Sequence, residues 1–437
     1  MLQQNDIRGP AEDTLPDYRS YRPLTVEDVP ERLAAYAEVA STLGGTPADW
    51  QVREVGDGNL NFVYIVTGPS GSVCLKQALP FVRLVGEGWP LPLSRSFFEH
   101  AALSREGKAA GATPAILRFD GGQALIVMED LSSHVIWRKA LVAGERHETA
   151  APVLGRFMAE ALFRTSDLSL SADAKKREMA LFAGNTALAK ITEDLVFTDP
   201  YREHPLNRWT SPELDETAAA IRADAEWKLA AQELKWMFLT RAEALVHGDL
   251  HTGSVMVAKD GEAEDIRVID PEFAFYGPMG FDVGALLANL FLNCFAQSGH
   301  AADPKPIQDW VLAQAERTWE CFAARFSELW RTERRGDAFP GALFEDQGQH
   351  EAAQTALSRY LARLQVDALG FAGVKMARRI LGLAHVSDLE TIEPPARRAA
   401  CEKQALNLAR QLVVEREAIA TVSAACGRVQ SILGDRQ

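Results

Sequence analysis

The sequence predicts an α+β fold in which a small antiparallel sheet precedes a larger, mainly helical part. Short alternating apolar runs separated by glycine turns occupy much of the first 130 residues. Helical periodicity dominates from about residue 132 onward, and a single hairpin at 254–269 interrupts it. We therefore expect an N-terminal lobe at 1–130 and a helical C-terminal lobe at 131–437.

The elements follow in order along the chain. A helix is predicted over 26–43, and strands over 51–55, 62–67, 72–78 and 124–128. A helix at 97–110 separates the third strand from the fourth. The C-terminal helices are predicted at 148–165, 213–245, 280–296, 304–331, 350–370 and 398–432.

Composition excludes several classes of function. The 437 residues are 47% hydrophobic and 24% charged, which is typical of a soluble globular protein. The net charge of −14, with 46 basic against 60 acidic residues, argues against nucleic-acid binding. The longest apolar stretch, 283–296, is too short to span a membrane. Five widely spaced cysteines and a polar N-terminus indicate a cytoplasmic location.

A glycine-rich turn, Gly56-x-Gly58-Asn59-x-Asn61, lies between the first two predicted strands. Glycines allow a backbone to approach a phosphate closely because no Cβ intervenes. The mononucleotide P-loop motif is absent, and a dinucleotide-binding turn would lead into a helix and not a strand. The turn is therefore a candidate nucleotide loop, with an ordinary hairpin turn as the alternative.

Lys76 lies on the third predicted strand, one hairpin after the glycine turn, and the apolar residues Val73 and Leu75 precede it. A lysine in this position can reach the α- and β-phosphates of a nucleotide. It would need a carboxylate to hold its ammonium group. Glu99 on the following helix is the first choice for this partner, and Glu106 is the second. A solvent-facing strand lysine is the alternative.

Asp249, in the segment His-Gly-Asp-Leu-His, follows a short apolar strand. A carboxylate there can act as a base for a reacting hydroxyl, since this role depends on geometry more than on a raised pKa. Two alternatives remain. His247, Asp249 and His251 alternate and could form a zinc site, or the segment could be an exposed loop.

Asp270-Pro271-Glu272 follows the apolar run Val268-Ile269. Proline should keep the chain extended, so that both carboxylates point the same way. Two carboxylates at this spacing suit Mg²⁺, which also binds phosphate oxygens and water. An acidic surface turn is the alternative.

Arg378 and Arg379 lie in an unusually apolar helix. At least one of the two guanidinium groups is expected to reach a cleft. There it would bind sugar hydroxyls or stabilise charge on a phosphoryl group.

Longer motifs carry a family resemblance. They include GDGNLNFV (56–63), LKQALPFVR (75–83), EGWPL (87–91), RSFFE (95–99), HGDLHTGS (247–254), DPEFAFYGPMGFD (270–282) and RRILGLAH (378–385). From about residue 25 to 430, the chain resembles the S-methyl-5-thioribose kinases. These enzymes form part of the small-molecule phosphotransferase branch of the two-lobed protein-kinase-like fold.

The resemblance implies ATP- and Mg²⁺-dependent phosphorylation of the 1-hydroxyl of S-methyl-5-thioribose, a step of methionine salvage, by a homodimer. Asp249 would be the base and bind the sugar hydroxyl. Asp270 and Glu272 would bind Mg²⁺, and Arg378 and Arg379 the substrate. The nucleotide would contact Gly56, Gly58, Asn59, Asn61, Lys76, Glu99, Glu129, Asp130, Leu131, Asp270, Pro271 and Glu272.

Ser254 bears on the number of magnesium ions that the protein would bind. Ser254 stands where kinases of this fold usually have asparagine, which puts a second protein-bound Mg²⁺ in doubt.

The alternative function is a kinase for another small alcohol, such as an aminoglycoside, choline or homoserine. A non-catalytic nucleotide-binding scaffold is a further alternative, although the lysine, base and metal ligands that such scaffolds usually lose are all present.

Overall fold

The computed structural model describes residues 14–56, 60–82, 86–259 and 265–434. Gly58 and Asn59 of the candidate nucleotide loop lie outside these described residues. The chain divides into two compact units. The first comprises residues up to Ala101 together with Ala115–Asp130, and the second comprises Ala102–Pro114 and Leu131 onward.

The first unit is built on a five-stranded antiparallel sheet in the order β1-β2-β3-β7-β6. Apolar residues on one face of this sheet pack against the helices α1 and α2. A separate two-stranded ribbon pairs β4 with β5. The elements are α1 (Val29–Ala34), α2 (Ala37–Leu43), β1 (Gln51–Glu54), β2 (Asn61–Thr67), β3 (Ser72–Ala78), β4 (Phe81–Val82), β5 (Gly86–Pro90), α3 (Arg95–Ala110, which continues into the second unit), β6 (Ile116–Asp120) and β7 (Leu125–Glu129).

The second unit is mainly helical, and its core contains the long helices α10 and α12. Its elements are β8 (His134–Ile136), α4 (Trp137–Val142), α5 (Ala150–Arg164), α6 (Ala172–Phe182), α7 (Thr186–Leu195), α8 (Asp215–Ala223), α9 (Ala225–Thr240), β9 (Ala244–Val246), β10 (Val255–Ala258), β11 (Ile266–Val268), β12 (Phe275–Gly277), α10 (Gly280–His300), α11 (Lys305–Thr332), α12 (His350–Leu381), α13 (Ser387–Glu390), α14 (Pro395–Val414), α15 (Arg416–Ile419) and α16 (Val422–Gly434).

The predicted α+β fold class is confirmed, with an antiparallel sheet in the first unit and a helical second unit. The structure separates the chain after Asp130 and also assigns residues 102–114 to the second unit. The Val268 amide donates to the Ala112 carbonyl at 2.6 Å within that unit. The functional lobes at 1–130 and 131–437 stay a prediction.

Several predicted helix boundaries were wrong. The helix expected over 26–43 is interrupted at Tyr36, whose backbone is extended and whose hydroxyl donates to Asp120. The helix expected over 213–245 breaks at Asp224, whose side chain caps α9 by accepting from the Trp227 amide. The helix expected over 398–432 is divided among α14, α15 and α16.

Helices α6 and α7 were not predicted. The apolar pattern of α6 is weak, because its buried residues are only Lys175 and Phe182. In contrast, the predicted apolar stretch 283–296 lies wholly inside the buried helix α10. None of the helices in the described part of the chain combines the length and the apolar character that a bilayer span requires.

Candidate active site

Lys76 and Glu99 form the predicted ion pair in the first unit. Their Nζ and Oε1 atoms are 2.6 Å apart. Lys76 alternates with Val73 and Leu75 along β3, so its side chain leaves the sheet on the face opposite the core that those two residues enter. The Glu99 side chain is only 3% exposed and that of Lys76 is 11% exposed. The carboxylate therefore holds the ammonium group, and Glu106 is not needed as a partner.

The end of the candidate nucleotide loop is fixed by Arg95, which is almost fully buried. Its guanidinium donates to Asn61 Oδ1 at 2.5 Å, to the Leu60 carbonyl at 2.6 Å and to the Leu79 carbonyl at 2.8 Å. Arginine presents several donors in a rigid fork, which suits such a set of acceptors. Arg95 thus holds the start of β2, and Asn61 has a clear structural role. Its predicted contact with a nucleotide stays a prediction.

The segment Glu129–Leu131 is held by several hydrogen bonds. The Glu129 amide donates to the Ala115 carbonyl at 2.8 Å. The Ser72 hydroxyl donates to Asp130 Oδ2 at 2.6 Å. The Leu131 carbonyl accepts from the His134 amide at 2.9 Å. These bonds order the segment that was predicted to contact adenine, and that contact stays a prediction.

The loop that carries Asp249 is held by the Asp282 carboxylate in the first turn of α10. One oxygen of Asp282 accepts from the His247 amide at 2.7 Å, and the other accepts from the Gly248 amide at 3.0 Å. Gly248 has φ +85, and a Cβ there would lie 2.2 Å from the Phe273 carbonyl oxygen. Only glycine fits this backbone conformation and this close approach.

Asp249 accepts contacts from three groups. Lys375 Nζ lies 2.8 Å from its Oδ1 atom. Its Oδ2 atom has two longer contacts, to His251 Nε2 at 3.4 Å and to an Arg379 nitrogen at 3.5 Å. A carboxylate offers about four lone-pair sites. Both contacts of Oδ2 are longer than the usual hydrogen-bond distance of about 2.7–3.2 Å, so this oxygen can accept a shorter hydrogen bond from a substrate hydroxyl.

Electrostatics keep Asp249 ionised. Burial raises the pKa of its carboxyl, but the charges of Lys375 and Arg379 and the His251 contact outweigh burial and hold the pKa well below its usual value. Burial lowers the pKa of His251 to about 3, so this imidazole is neutral at physiological pH. Asp249 can thus orient a hydroxyl and receive its proton only as phosphoryl transfer proceeds.

The geometry argues against a zinc site at this loop. His247 Nδ1 accepts from the Asp249 amide at 3.3 Å, and its Nε2 contacts the Ile269 carbonyl at 3.0 Å. Both ring nitrogens are thus engaged by backbone. The Nδ1 atom of His251 accepts from the Gly253 amide at 3.0 Å. The two histidines therefore do not both present a free ring nitrogen to one ion beside Asp249, as a zinc site requires.

Ser254 closes the same loop. Its hydroxyl donates to the Asp249 carbonyl at 3.1 Å and lies 3.2 Å from His251 Nδ1. The side chain is buried. Ser254 therefore supports the backbone next to the candidate base.

Asp270 and Glu272 come together, but not in the extended conformation predicted for them. Asp270 has φ +71, in the left-handed region, and the Ala274 amide donates to the Pro271 carbonyl at 3.1 Å to close a turn. The expectation of an extended segment was wrong, because this turn reverses the chain directly after β11. One carboxylate oxygen of each residue nevertheless lies within 4.8 Å of the other.

The donor chemistry of this turn fits Mg²⁺, which prefers carboxylate oxygens and usually keeps other positions for phosphate and water. Glu272 is buried, and its backbone carbonyl accepts from Asn185 Nδ2 at 2.9 Å. The same amide group donates to the Ala274 carbonyl at 3.0 Å. Asn185 therefore fixes the turn. A left-handed residue other than glycine is costly, and such strain occurs preferentially at functional sites.

The two predicted arginines are both buried, at 8% and 6% exposure for Arg378 and Arg379. Each donates to the Ala384 carbonyl, at 3.0 and 3.4 Å. Burial, together with the charge of Arg379, lowers the pKa of Arg378 to about 9. Arg379 contacts the Asp249 carboxylate, whereas the shortest hydrogen bond described for Arg378 is the one to the Ala384 carbonyl. Substrate contacts by the pair stay a prediction.

Three residues around the Asp249 loop were not predicted. They are Lys375, Asp282 and Arg138. The Arg138 guanidinium donates to Asn289 Oδ1 at 2.8 Å, and its Nη1 atom lies beside Gly253. Lys375 precedes the arginine pair by three and four positions, a helical spacing that could have revealed it. Asp282 ends a motif noted in the sequence. The sequence gives no signal for Arg138.

The class of protein follows from its similarity to known phosphotransferases. The phosphotransferase enzyme family model matches residues 51–325. A methylthioribose kinase of Escherichia coli O45:K1 is 44% identical over 407 residues, which cover 92% of this chain and 95% of that protein. Methylthioribose kinase 1 of Oryza sativa subsp. japonica is 43% identical (94% and 96% covered), and the Geobacillus kaustophilus methylthioribose kinase is 41% identical (91% and 93%). The chain belongs to the methylthioribose kinase family.

Proposed function

We propose that this protein transfers the γ-phosphoryl group of ATP to the 1-hydroxyl of S-methyl-5-thioribose. The products are S-methyl-5-thio-α-D-ribose 1-phosphate and ADP, and the reaction serves methionine salvage. The observation that carries the proposal is the identity of 41–44% to methylthioribose kinases over more than nine-tenths of both chains. The surroundings of Asp249 support the same chemistry, since its ionised carboxylate can accept a hydrogen bond from a sugar hydroxyl.

Asp249 orients the acceptor in this mechanism. Its Oδ2 atom accepts a hydrogen bond from the 1-hydroxyl and directs the hydroxyl oxygen at the γ-phosphorus. The new O–P bond forms as the bond between the γ-phosphorus and the β–γ bridging oxygen breaks, and the hydroxyl proton passes to Asp249. Such transfers depend mainly on positioning and charge stabilisation. A base with a low pKa is adequate, because the proton moves late.

Charge on the transferring group is offset by cationic residues and a metal ion. Asp270 and Glu272 are the residues that would hold Mg²⁺, whose charge would offset that of the phosphates. Arg378 and Arg379 would bind the thioribose or the phosphoryl group during transfer. Ser254 supplies no amide oxygen, and we propose one protein-bound Mg²⁺.

The nucleotide-binding roles follow from the same family. Lys76, held by Glu99, would bind the α- and β-phosphates. The loop residues Gly56, Gly58, Asn59 and Asn61 would cover the phosphates. Backbone groups of Glu129, Asp130 and Leu131 would bind the edge of the adenine ring.

A kinase assay tests the proposal. The purified protein, with Mg²⁺ and ATP, is given S-methyl-5-thioribose, ribose, choline, homoserine or kanamycin in separate reactions. We expect ADP release with the thiosugar, and a phosphorus NMR signal of an anomeric sugar phosphate. Turnover of choline, homoserine or kanamycin without turnover of the thiosugar would overturn the substrate and leave the alternative, a kinase for another small alcohol.

We also propose a homodimer and a cytoplasmic location. All five cysteines are free thiols, which suits a reducing compartment. Light scattering after size-exclusion chromatography tests the assembly. A mass near 48.0 kDa at micromolar concentration would contradict a dimer, since that is the mass of one chain.

A further inference from the structure

Lys375 is the group that contacts Asp249 at the shortest distance among the described neighbours of this carboxylate. Its side chain is 3% exposed, and its ammonium lies 4.5 Å from the centre of the Phe281 ring. We infer that Lys375 is a positioning residue for the transfer reaction, which holds Asp249 Oδ1 so that Oδ2 faces the acceptor hydroxyl. The inference rests on the proposed kinase activity.

The packing around Lys375 leaves its side chain little freedom. Residues 374, 376 and 377 on α12 are fully buried, and α12 packs along the buried helix α10. Phe281, which belongs to α10, faces the ammonium. A long side chain is normally mobile, so fixing it by packing gives its hydrogen bond to Asp249 a defined direction.

Charged groups near Lys375 come from the loop before β10, from α10 and from α12 itself. Asp249 and His251 lie on the loop before β10, and Asp282 lies on α10. Arg378 and Arg379 follow Lys375 on its own helix. Burial lowers the pKa of Lys375, Asp249 raises it, and the two arginines lower it. The charged state of Lys375 thus depends on Asp249, and the ionised state of Asp249 depends in turn on Lys375.

A buried lysine paired with an aspartate can also be purely structural, and the same unit contains one for comparison, although its aspartate, Asp167, is 49% exposed. Lys175 is 1% exposed, lies 2.7 Å from Asp167 Oδ2 and also donates to the Ala242 carbonyl at 2.7 Å. Its ammonium lies 5.0 Å from the centre of the Tyr276 ring. Lys175 therefore repeats the burial, the ion pair and the aromatic contact of Lys375, without contact to Asp249.

The two lysines provide matched variants, Lys375→Met and Lys175→Met. For Lys375→Met we expect kcat to fall by about 10–100-fold, because misplacing a reacting group by about 1 Å has effects of this size. The KM for ATP should change by less than about twofold, since Lys375 is not among the proposed nucleotide-binding residues. Lys175→Met should lower Tm by several degrees while kcat per folded molecule stays unchanged.

The pH profile separates positioning from general damage. Lys375 lowers the pKa of Asp249, so its loss should move the acid limb of kcat to higher pH. Lys375→Arg keeps the positive charge and should return this limb toward its wild-type position, even if kcat recovers only in part. The arginine variant also serves as the test if the methionine variant does not fold.

Three results would overturn the inference. They are wild-type kcat in folded Lys375→Met, an equal loss of kcat in Lys175→Met, and an acid limb in Lys375→Arg that matches the methionine variant. Failure of the proposed function is a different result, because the wild-type protein would then not phosphorylate the thiosugar at all. The wild-type assay therefore precedes the variants.

Discussion

Each unit of the molecule contains a buried lysine–carboxylate pair, and the two pairs are arranged in opposite ways. In Lys76–Glu99, the carboxylate is the more buried member, at 3% against 11% for the lysine. In Lys375–Asp249, the lysine is the more buried member, at 3% against 18% for the carboxylate. The more exposed member is the one available to a ligand. The first pair therefore presents a cation, which suits phosphates, and the second presents an anion, which suits a hydroxyl.

At these two pairs, we expect the buried member to position its partner and the exposed member to contact the ligand. Removing the acting group should affect the reaction directly. Removing the positioning group should weaken the same step to a smaller extent. Variants of both pairs, and of a buried carboxyl without a lysine, test this distinction from the largest expected effect to the smallest.

Asp249→Asn should have the largest effect. The amide keeps the shape of the side chain but cannot take up the hydroxyl proton, so we expect kcat to fall by about 10²–10⁴-fold. ATP affinity, measured by calorimetry, should stay within about twofold, because Asp249 is not among the proposed nucleotide-binding residues. Retention of most of the turnover by a folded Asp249→Asn protein would show that Asp249 is not the base.

The nucleotide pair should show the second-largest effect. Lys76→Met removes the proposed charge-assisted hydrogen bonds to phosphate, each worth about 1.5–3 kcal/mol, so kcat/KM for ATP should fall by about 10–100-fold. Glu99→Gln keeps the ammonium and should reduce kcat/KM less than Lys76→Met does. Steady-state kinetics with varied ATP measures both. A larger loss in Glu99→Gln would reverse the assignment of acting and positioning members.

Asp270→Asn tests the predicted metal ligand. Asparagine tolerates the left-handed backbone that Asp270 adopts, so the turn should be preserved. Loss of one carboxylate should raise the Mg²⁺ concentration for half-maximal activity by about 10–100-fold. A magnesium titration at saturating ATP provides the measurement, with circular dichroism as the control for folding. An unchanged magnesium requirement would remove Asp270 from the metal site.

A change at Glu106 should have the smallest effect. The charged group that shifts the pKa of Glu106 is a carboxylate, Asp282, and not a lysine. Burial, followed by the charge of Asp282, raises the pKa of Glu106 well above its usual value. The folded state thus binds the proton more tightly than the unfolded state, and stability declines as pH rises above the unfolded pKa of about 4.5. Glu106→Gln removes this decline.

We therefore expect Glu106→Gln to raise Tm at pH 8 by roughly 1–3 °C relative to the wild-type protein, and by less at pH 5. Thermal melts at the two pH values provide the measurement. Equal Tm differences at pH 5 and pH 8 would contradict a protonated Glu106.

The sequence predicted features that depend on neighbouring residues or on short motifs. The strands around Lys76 and the position of Asp249 after β9 follow from local alternation and turn residues. Lys375 and Asp249 are 126 residues apart, and no local pattern joins them. Arg138 reaches the same loop from a separate helix, α4, for an equally non-local reason.

The sequence also did not predict the backbone conformation of the segment 270–272. The Asp270-Pro271-Glu272 motif correctly indicated neighbouring carboxylates, but the left-handed Asp270 and the following turn were not expected. Proline restricts its own φ and disfavours the helical region for the residue before it, yet a left-handed conformation at that residue is set by tertiary contacts. Asn185, which fixes this turn, comes from a segment between two helices that the sequence did not predict.

The contact at Gly248 has a consequence for engineering new acceptor specificity. Here the main chain of the loop bearing Asp249 touches the main chain at Phe273, directly after the carboxylates of 270 and 272. The spacing of the two backbone segments that carry the predicted base and the predicted metal ligands is therefore fixed by main-chain atoms. Side chains that line an acceptor pocket can be exchanged while this spacing is retained. Any residue larger than glycine at 248 would widen it and misalign every acceptor alike.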